Sequence, residues 1–380
     1  MNLMLKIQNK IITNFILLFM TFSILFQEVE NFDKFYTISG VYPTDFLLPL
    51  LFSISFLNFY HYTLFEKLFL ITNISLIFFG VIVGAINGND YLNILKDISH
   101  WIKPCVFPLL FLFRNSFTNT HLKALNIILI SYLAAFICVY IIDSSLVVEY
   151  SLRVVSRFDI VLLFVMLFTL THSDNSRGVS LLSLVLILIK IIISFSRGLF
   201  AMFFIVVLLA IFNERRTRSI YYFILALCLL ILSIYFLMAD SPYIDFFHSR
   251  FGELWSDGDF SLSNTSSWQY KSNDLNNALS HSGFLGNGLG SVITVFNAID
   301  GDVPSLYVDN FFYTAYMKFG LLSIPYFLYI FYYFFNRINN SAFIILVIAC
   351  LSNASIIYWR SSIFIYFLLI FFNKNSNRNY

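Results

Sequence analysis

The stretch IKIIISFSRGLFAMFF, residues 189–204, sets Arg197 and two serines between apolar runs long enough to lie in lipid. A cation inside or near a bilayer costs from about 2.5 kcal/mol upward and is retained where it faces a polar cavity or a partner. Two apolar helices joined by a short polar turn account for the pattern. The side of the membrane that the turn occupies then decides what its arginine can meet.

Composition sets the environment. Of 380 residues, 59% are hydrophobic and 12% charged, a balance that lipid must solvate. The chain is expected to be a polytopic membrane protein. Its net charge of +2 gives no electrostatic basis for binding nucleic acid. Cys105, Cys138, Cys228 and Cys350 all lie in apolar runs, as small hydrophobes, so neither a disulfide nor a metal site is expected. The first apolar segment follows Lys6 and Lys10, but SILFQEVENF offers no small-residue cleavage site, so a retained helix is expected.

About twelve segments approach the roughly 20 apolar residues that a hydrocarbon core of about 30 Å requires. They centre near residues 19, 53, 78, 108, 132, 165, 186, 205, 228, 328, 349 and 367. With the amino terminus inside, Lys6, Lys10, Lys67, Arg114, Lys123, Arg177, Arg215, Arg216, Arg218, Arg337, Lys374 and Arg378 fall on the cytoplasmic side, against Glu66, Asp174 and Glu214. Nearly all other acids fall outside. The positive-inside rule then makes both termini cytoplasmic.

The fold class expected is all-α. Residues 1–239 would hold nine transmembrane helices, 240–308 a large external loop, and 309–380 an interfacial or re-entrant helix followed by the last three crossings. Trp255, Trp268, Tyr270 and Tyr307 in the loop point to a compact cap with short helices, one near 268–279. The loop ends in VDNFFYTAYMKFG, residues 308–320, where Asp309, Tyr313 and Tyr316 share a helical face.

On this topology the SFSRG turn is external, and Arg153, Arg157, Arg250 and Arg360 reach the same side. Arginines converging on an outer cavity point to an anionic ligand, since a guanidinium pairs bidentately with phosphate oxygens. Arg157 and Arg360 have a second reading as snorkelling side chains, or, for Arg157, as a partner of Asp159. Asp309 has one as the N-cap of the helix that follows. Lys190 snorkels or pairs within the bundle. The glycines of GFLGNGLG, residues 283–290, lack the flanking strand and helix of a dinucleotide site and read as a tight external loop. The six histidines, His281 among them, show no ligand spacing. The loop's Trp and Tyr can stack on sugar rings.

These features together resemble the O-antigen polymerases of the Wzy type and the related O-antigen ligases, most specifically over residues 194–198 and 286–322. In the ligases the place of Asp309 is typically a histidine before the asparagine. The family also often has a second loop arginine before its glycines, where NTSSWQYKSN offers only Lys271. The resemblance implies a GT-C-like membrane fold in the bacterial inner membrane and a periplasmic active site without metal or cofactor. A glycan on undecaprenyl pyrophosphate would pass to a hydroxyl of another lipid-linked repeat. Asp309 would be the base, Arg197 and Arg250 would hold the pyrophosphate, and Arg157, Arg153, Arg360, Asn310, Tyr313, Trp268 and His281 would contact substrate. The implied partners are the lipid-linked oligosaccharide, membrane lipid and a chain-length regulator protein. A flippase for the same lipid-linked sugar is the rival from another class, although the long one-sided loop and the lack of an internal repeat count against it.

Overall fold

In a computed structural model, which describes residues 2–25, 43–142, 159–171, 177–193, 197–213, 255–256, 259–260, 266–280, 282–297, 301–308, 310–352, 357 and 362–373, the apolar runs form helices. In chain order these are α1 Asn2–Leu25, α2 Pro43–Leu57, α3 Leu64–Ile86, α4 Tyr91–Trp101, α5 Phe107–Leu112, α6 Asn119–Ile142, α7 Asp159–Thr171, α8 Arg177–Ile193, α9 Arg197–Asn213, α10 Ser266–Ser280, α11 Phe311–Phe319, α12 Ser323–Arg337, α13 Asn340–Ser352 and α14 Ser362–Leu369. Among the described residues three stretches are long and apolar enough to cross a membrane: Leu64–Ile86, Asn119–Cys138 and Phe311–Arg337. The last joins α11 to α12 through the 3-10 turn Gly320–Leu322. Shorter apolar helices supply the rest of the bundle. The segment expected near residue 228 and the basic run at 214–218 lie outside the described residues.

Two expectations change. The described residues are mostly helical, as expected, but the large loop adds two short antiparallel hairpins, where β1 Trp255–Ser256 pairs with β2 Asp259–Phe260, and β3 Ile293–Asn297 with β4 Gly301–Ser305. Strands this short carry too few alternating residues to stand out in a sequence. The segment expected near residue 108 begins much earlier. Asp90 caps α4 by accepting from the Asn93 amide, and the chain then passes through a 3-10 turn at Lys103–Val106 into α5. Pro104 and Pro108 lack the amide donors that an unbroken helix would need, so the helix is divided in two. At this break Lys103 donates to the Ile357 carbonyl at 2.8 Å.

The helix pair α3 and α12 sets the register of the bundle. A capping box starts α3: the Thr63 hydroxyl accepts from the Glu66 amide, and the Glu66 carboxylate accepts from the Thr63 amide at 2.9 Å. Glu66 then meets Arg337, the last residue of α12, at 3.1 Å. Further along, Phe69 stacks on Tyr333 with centroids 4.0 Å apart, and the Tyr326 hydroxyl donates to Asn73 Oδ1 at 2.8 Å. Beyond that Gly80 lies against Phe319. The helices therefore run antiparallel over the whole crossing.

Arg337 and Arg114 both sit over the Phe111 ring, at 4.8 and 4.2 Å, so α5 ends beside them. This end of the bundle is the basic end. At the opposite, cap end lie the Asn87–Asp90 turn, α10 and the β3–β4 hairpin. Between the ends the core is largely aromatic, with Phe107 edge-on to Phe334 at 5.0 Å and Trp101 edge-on to Phe319 at 4.7 Å. Lys190, in α8, is buried with its ammonium 4.7 Å from the Phe136 ring centre, a pairing within the bundle.

Candidate functional site

At the cap end the chain from α10 to α11 folds as one docked unit. Ala278 of α10, Ile293 of β3, Val308, and Met317 of α11 form a buried apolar cluster, with Leu275, Val295 and Tyr313 packed against it. The expected loop helix near 268–279 is thus present as α10, and Trp268 lies in it.

The glycine loop is not a free surface turn. Its backbone is threaded between α3, α4 and α11. The amides of Asn287 and Gly288 donate to the carbonyls of Met317 and Lys318 at 2.8 and 2.9 Å, and the Leu289 amide donates to the Gly80 carbonyl at 2.8 Å. Asn89 closes the other side by donating through Nδ2 to the carbonyls of Asn287 and Leu289, both at 2.8 Å. Gly288 has φ of +74°, and a Cβ there would collide with the backbone of Gly84. Gly84 in turn has no room for a side chain, because the Leu289 carbonyl occupies the place. Only glycine fits at both positions.

A buried ion pair locks this arrangement. Lys318 Nζ lies 2.7 Å from Asp97 Oδ2, and both side chains are 0% exposed. The same Asp97 oxygen accepts from the Gly290 amide at 2.6 Å, and Lys318 also donates to the Ser291 carbonyl at 2.6 Å. One carboxylate and one ammonium therefore tie α4, α11 and the glycine loop together. Asp97 is inside the bundle, an exception to the general placement of acids outside. The signals for this site were available: Lys318 is the one charge within FFYTAYMKFGLLSIPYFLYIFYYFFN, and GVIVG, residues 80–84, places small residues one turn apart.

The start of α11 is pinned as closely. Asn310 Oδ1 accepts from the amides of Phe312 and Tyr313 at 2.9 and 3.2 Å, and Asn310 Nδ2 donates to the Leu351 carbonyl at 2.9 Å. Asn310, not Asp309, is the N-cap; the capping reading of Asp309 is corrected on this geometry. Val308 is held by Thr314, whose hydroxyl donates to the Val308 carbonyl at 3.0 Å and accepts from its amide at 3.1 Å. Asn310 and Tyr313, read from sequence as substrate contacts, are thus engaged in holding the start of the helix and the apolar cluster.

Arg197 is the first residue of α9, and α8 ends at Ile193; residues 194–196 of the expected tight turn lie outside the described residues. α9 packs against α13, whose end at Leu351 receives Asn310. Asp309, Arg250, Arg153, Arg157, Arg360 and His281 lie outside the described residues.

The ion pair makes a direct prediction. Lys318→Met leaves a buried carboxylate uncompensated and is expected to cost about 3–5 kcal/mol. Adding Asp97→Asn removes that charge and keeps an acceptor for the Gly290 amide, so the double variant should unfold at a higher temperature in detergent than Lys318→Met alone. A double variant no more stable than the single one would contradict the pairing.

No protein-family model matches the chain, and no curated protein matches it.

Proposed function

We propose that the protein is a membrane glycosyltransferase of the Wzy type, which polymerises lipid-linked oligosaccharide repeats. The basic end would face the cytoplasm of a bacterial inner membrane, with both termini there among about a dozen crossings. The cap end and its site would face the periplasm.

The observation that carries this reading is the pinning of Val308 and Asn310 on either side of residue 309. A catalytic base needs a position fixed to a fraction of an ångström and a side chain not consumed by the fold. Asn310 supplies the cap, so helix initiation makes no demand on Asp309. The packing of α9 on α13, and of α13 on α11, brings the helix that begins with Arg197 into the same group of helices.

In the reaction proposed, a hydroxyl oxygen of the acceptor sugar attacks the anomeric carbon of the donor. The bond from that carbon to the pyrophosphate oxygen breaks, and undecaprenyl pyrophosphate leaves with the electron pair. Asp309 takes the hydroxyl proton. Arg197 and Arg250 stabilise the charge that grows on the leaving group, an effect that preorganised cations supply without a cofactor. Arg153, Arg157 and Arg360 add to the positive field, and Trp268 and His281 contact sugar. A single displacement inverts the anomeric centre. The ligase alternative lacks a histidine at position 309. A chain-length regulator protein is a further proposed partner.

Reconstitution in vesicles with defined lipid-linked repeats on the cap-end face tests the proposal: longer glycans form if the protein is the polymerase, and no product longer than the supplied repeat forms if it is a flippase. In that assay Asp309→Asn is expected to lower the polymerisation rate by at least about a hundredfold with lipid binding intact. A rate within about threefold of the parent would remove Asp309 as the base. Arg197→Lys keeps charge but loses the bidentate fork, and is expected to abolish most activity at unchanged expression. Near-normal polymer from it would take Arg197 out of the site.

A further inference from the structure

We propose that residues 283–291 form a re-entrant element, which dips into the hydrocarbon from the cap end and seats Phe284 and Leu285 against lipid acyl chains. The inference is independent of the proposed chemistry.

The depth follows from the helix register. Leu289 bonds to Gly80, which lies about 9 Å of helix below Ile86, the last residue of α3. From Gly80 to Glu66 at the basic end is about 21 Å more, so the loop sits well inside a hydrocarbon layer of about 30 Å spanned by α3. Position in α12 agrees, because the Leu321 amide donates to the Phe284 carbonyl at 3.0 Å, and Leu321 is ten residues into the apolar stretch Phe311–Arg337.

Irregular backbone at membrane depth is tolerated only where protein satisfies its polar groups. The loop meets that condition at the amides of residues 286–290 and at the carbonyls of Gly283, Phe284, Asn287, Leu289 and Ser291. The Phe284 carbonyl is bonded to Leu321, the Gly283 carbonyl accepts from Gly286 at 2.9 Å, and the amides of residues 287–290 are all bonded, as given above. The side chains at the tip do the opposite. Phe284 is 72% and Leu285 51% exposed. On α3 the exposed residues Leu64, Leu68, Ile71, Phe78, Ile82 and Ile86 form one lipid-facing stripe, and on α12 a second stripe runs through Ile324, Leu328 and Tyr332. Leu321, the residue bonded to Phe284, is itself exposed and continues the second stripe. The tip therefore prolongs a surface whose neighbours are acyl chains, and large apolar side chains this exposed suit lipid rather than water.

Nitroxide labels on Phe284→Cys and Leu285→Cys test the assignment, in the full chain in lipid vesicles with Cys138 and Cys228 replaced by serine. High collision with oxygen and low collision with a water-soluble nickel chelate is the expected result, with Asn276→Cys on exposed α10 showing high nickel collision. High nickel collision at 284 and 285 would place the tip in water, and low collision with both reagents would place it inside protein; either result overturns the proposal. Should the labelled variants fail to insert, charge tolerance gives a second reading. Leu285→Asp should lower the yield of folded, membrane-inserted protein at least about fivefold relative to Leu285→Ser, while Asn276→Asp leaves it unchanged. Equal yields for the two Leu285 variants would also overturn it.

Discussion

The contact between Asp97 and Lys318, 2.7 Å long and closed to solvent, is the constraint on which the cap end depends. Charges in such a place are stable only as a pair with their remaining hydrogen-bonding capacity met, and here the backbone of Gly290 and Ser291 meets part of it. The pair fixes α11 against α4. It also fixes the glycine loop, which leads directly into β3, β4 and the segment before α11. Both ends of that segment are consequently anchored on the same buried charge pair. The start of α11, at Val308 and Asn310, is thus tied to interactions several turns away from it.

The packing around the pair follows from the absence of a hydrophobic drive between helices in lipid. Close backbone approach takes its place, and Gly80 and Gly84 provide it on α3. Such a pair of small residues commonly receives a second helix. In this protein it receives the carbonyl of Leu289 and the ring of Phe319. Toward the basic end the same helix changes to aromatic stacking and ends in the Glu66–Arg337 pair. One helix face thereby carries three kinds of contact in order: backbone, ring and charge.

Much of this was legible in the sequence where a single element carried the signal. Long apolar runs gave α3, α6 and the α11–α12 stretch; the aromatic content of the large loop gave α10; and SFSRG marked the boundary at which α9 begins with Arg197. What was not legible depends on contacts distant in the chain. Asp97 lies 221 positions before Lys318, and although the apolar surroundings of Lys318 mark it as buried, nothing local to either residue names the other as its partner. GFLGNGLG reads as an exposed loop because its polar groups have no local partners; the partners are Gly80, Asn89 and α11. The reading of Asp309 as the cap of α11 missed by one residue, since Asp and Asn cap equally well and only geometry identifies Asn310 as the cap.

The structural consequence is a division of labour: Asn310 and Thr314 hold the start of α11, and the ion pair holds the glycine loop. That division rests on the glycine loop being an internal element of the bundle. Hydrogen exchange of the full-length protein in nanodiscs measures this directly. The amides of Asn287, Gly288, Leu289 and Gly290 are expected to exchange as slowly as those in the middle of α3, because each is bonded within the bundle. Exchange as fast as in the open turn at Gly88 would mean that the loop is a surface segment and that the buried pair does not hold it.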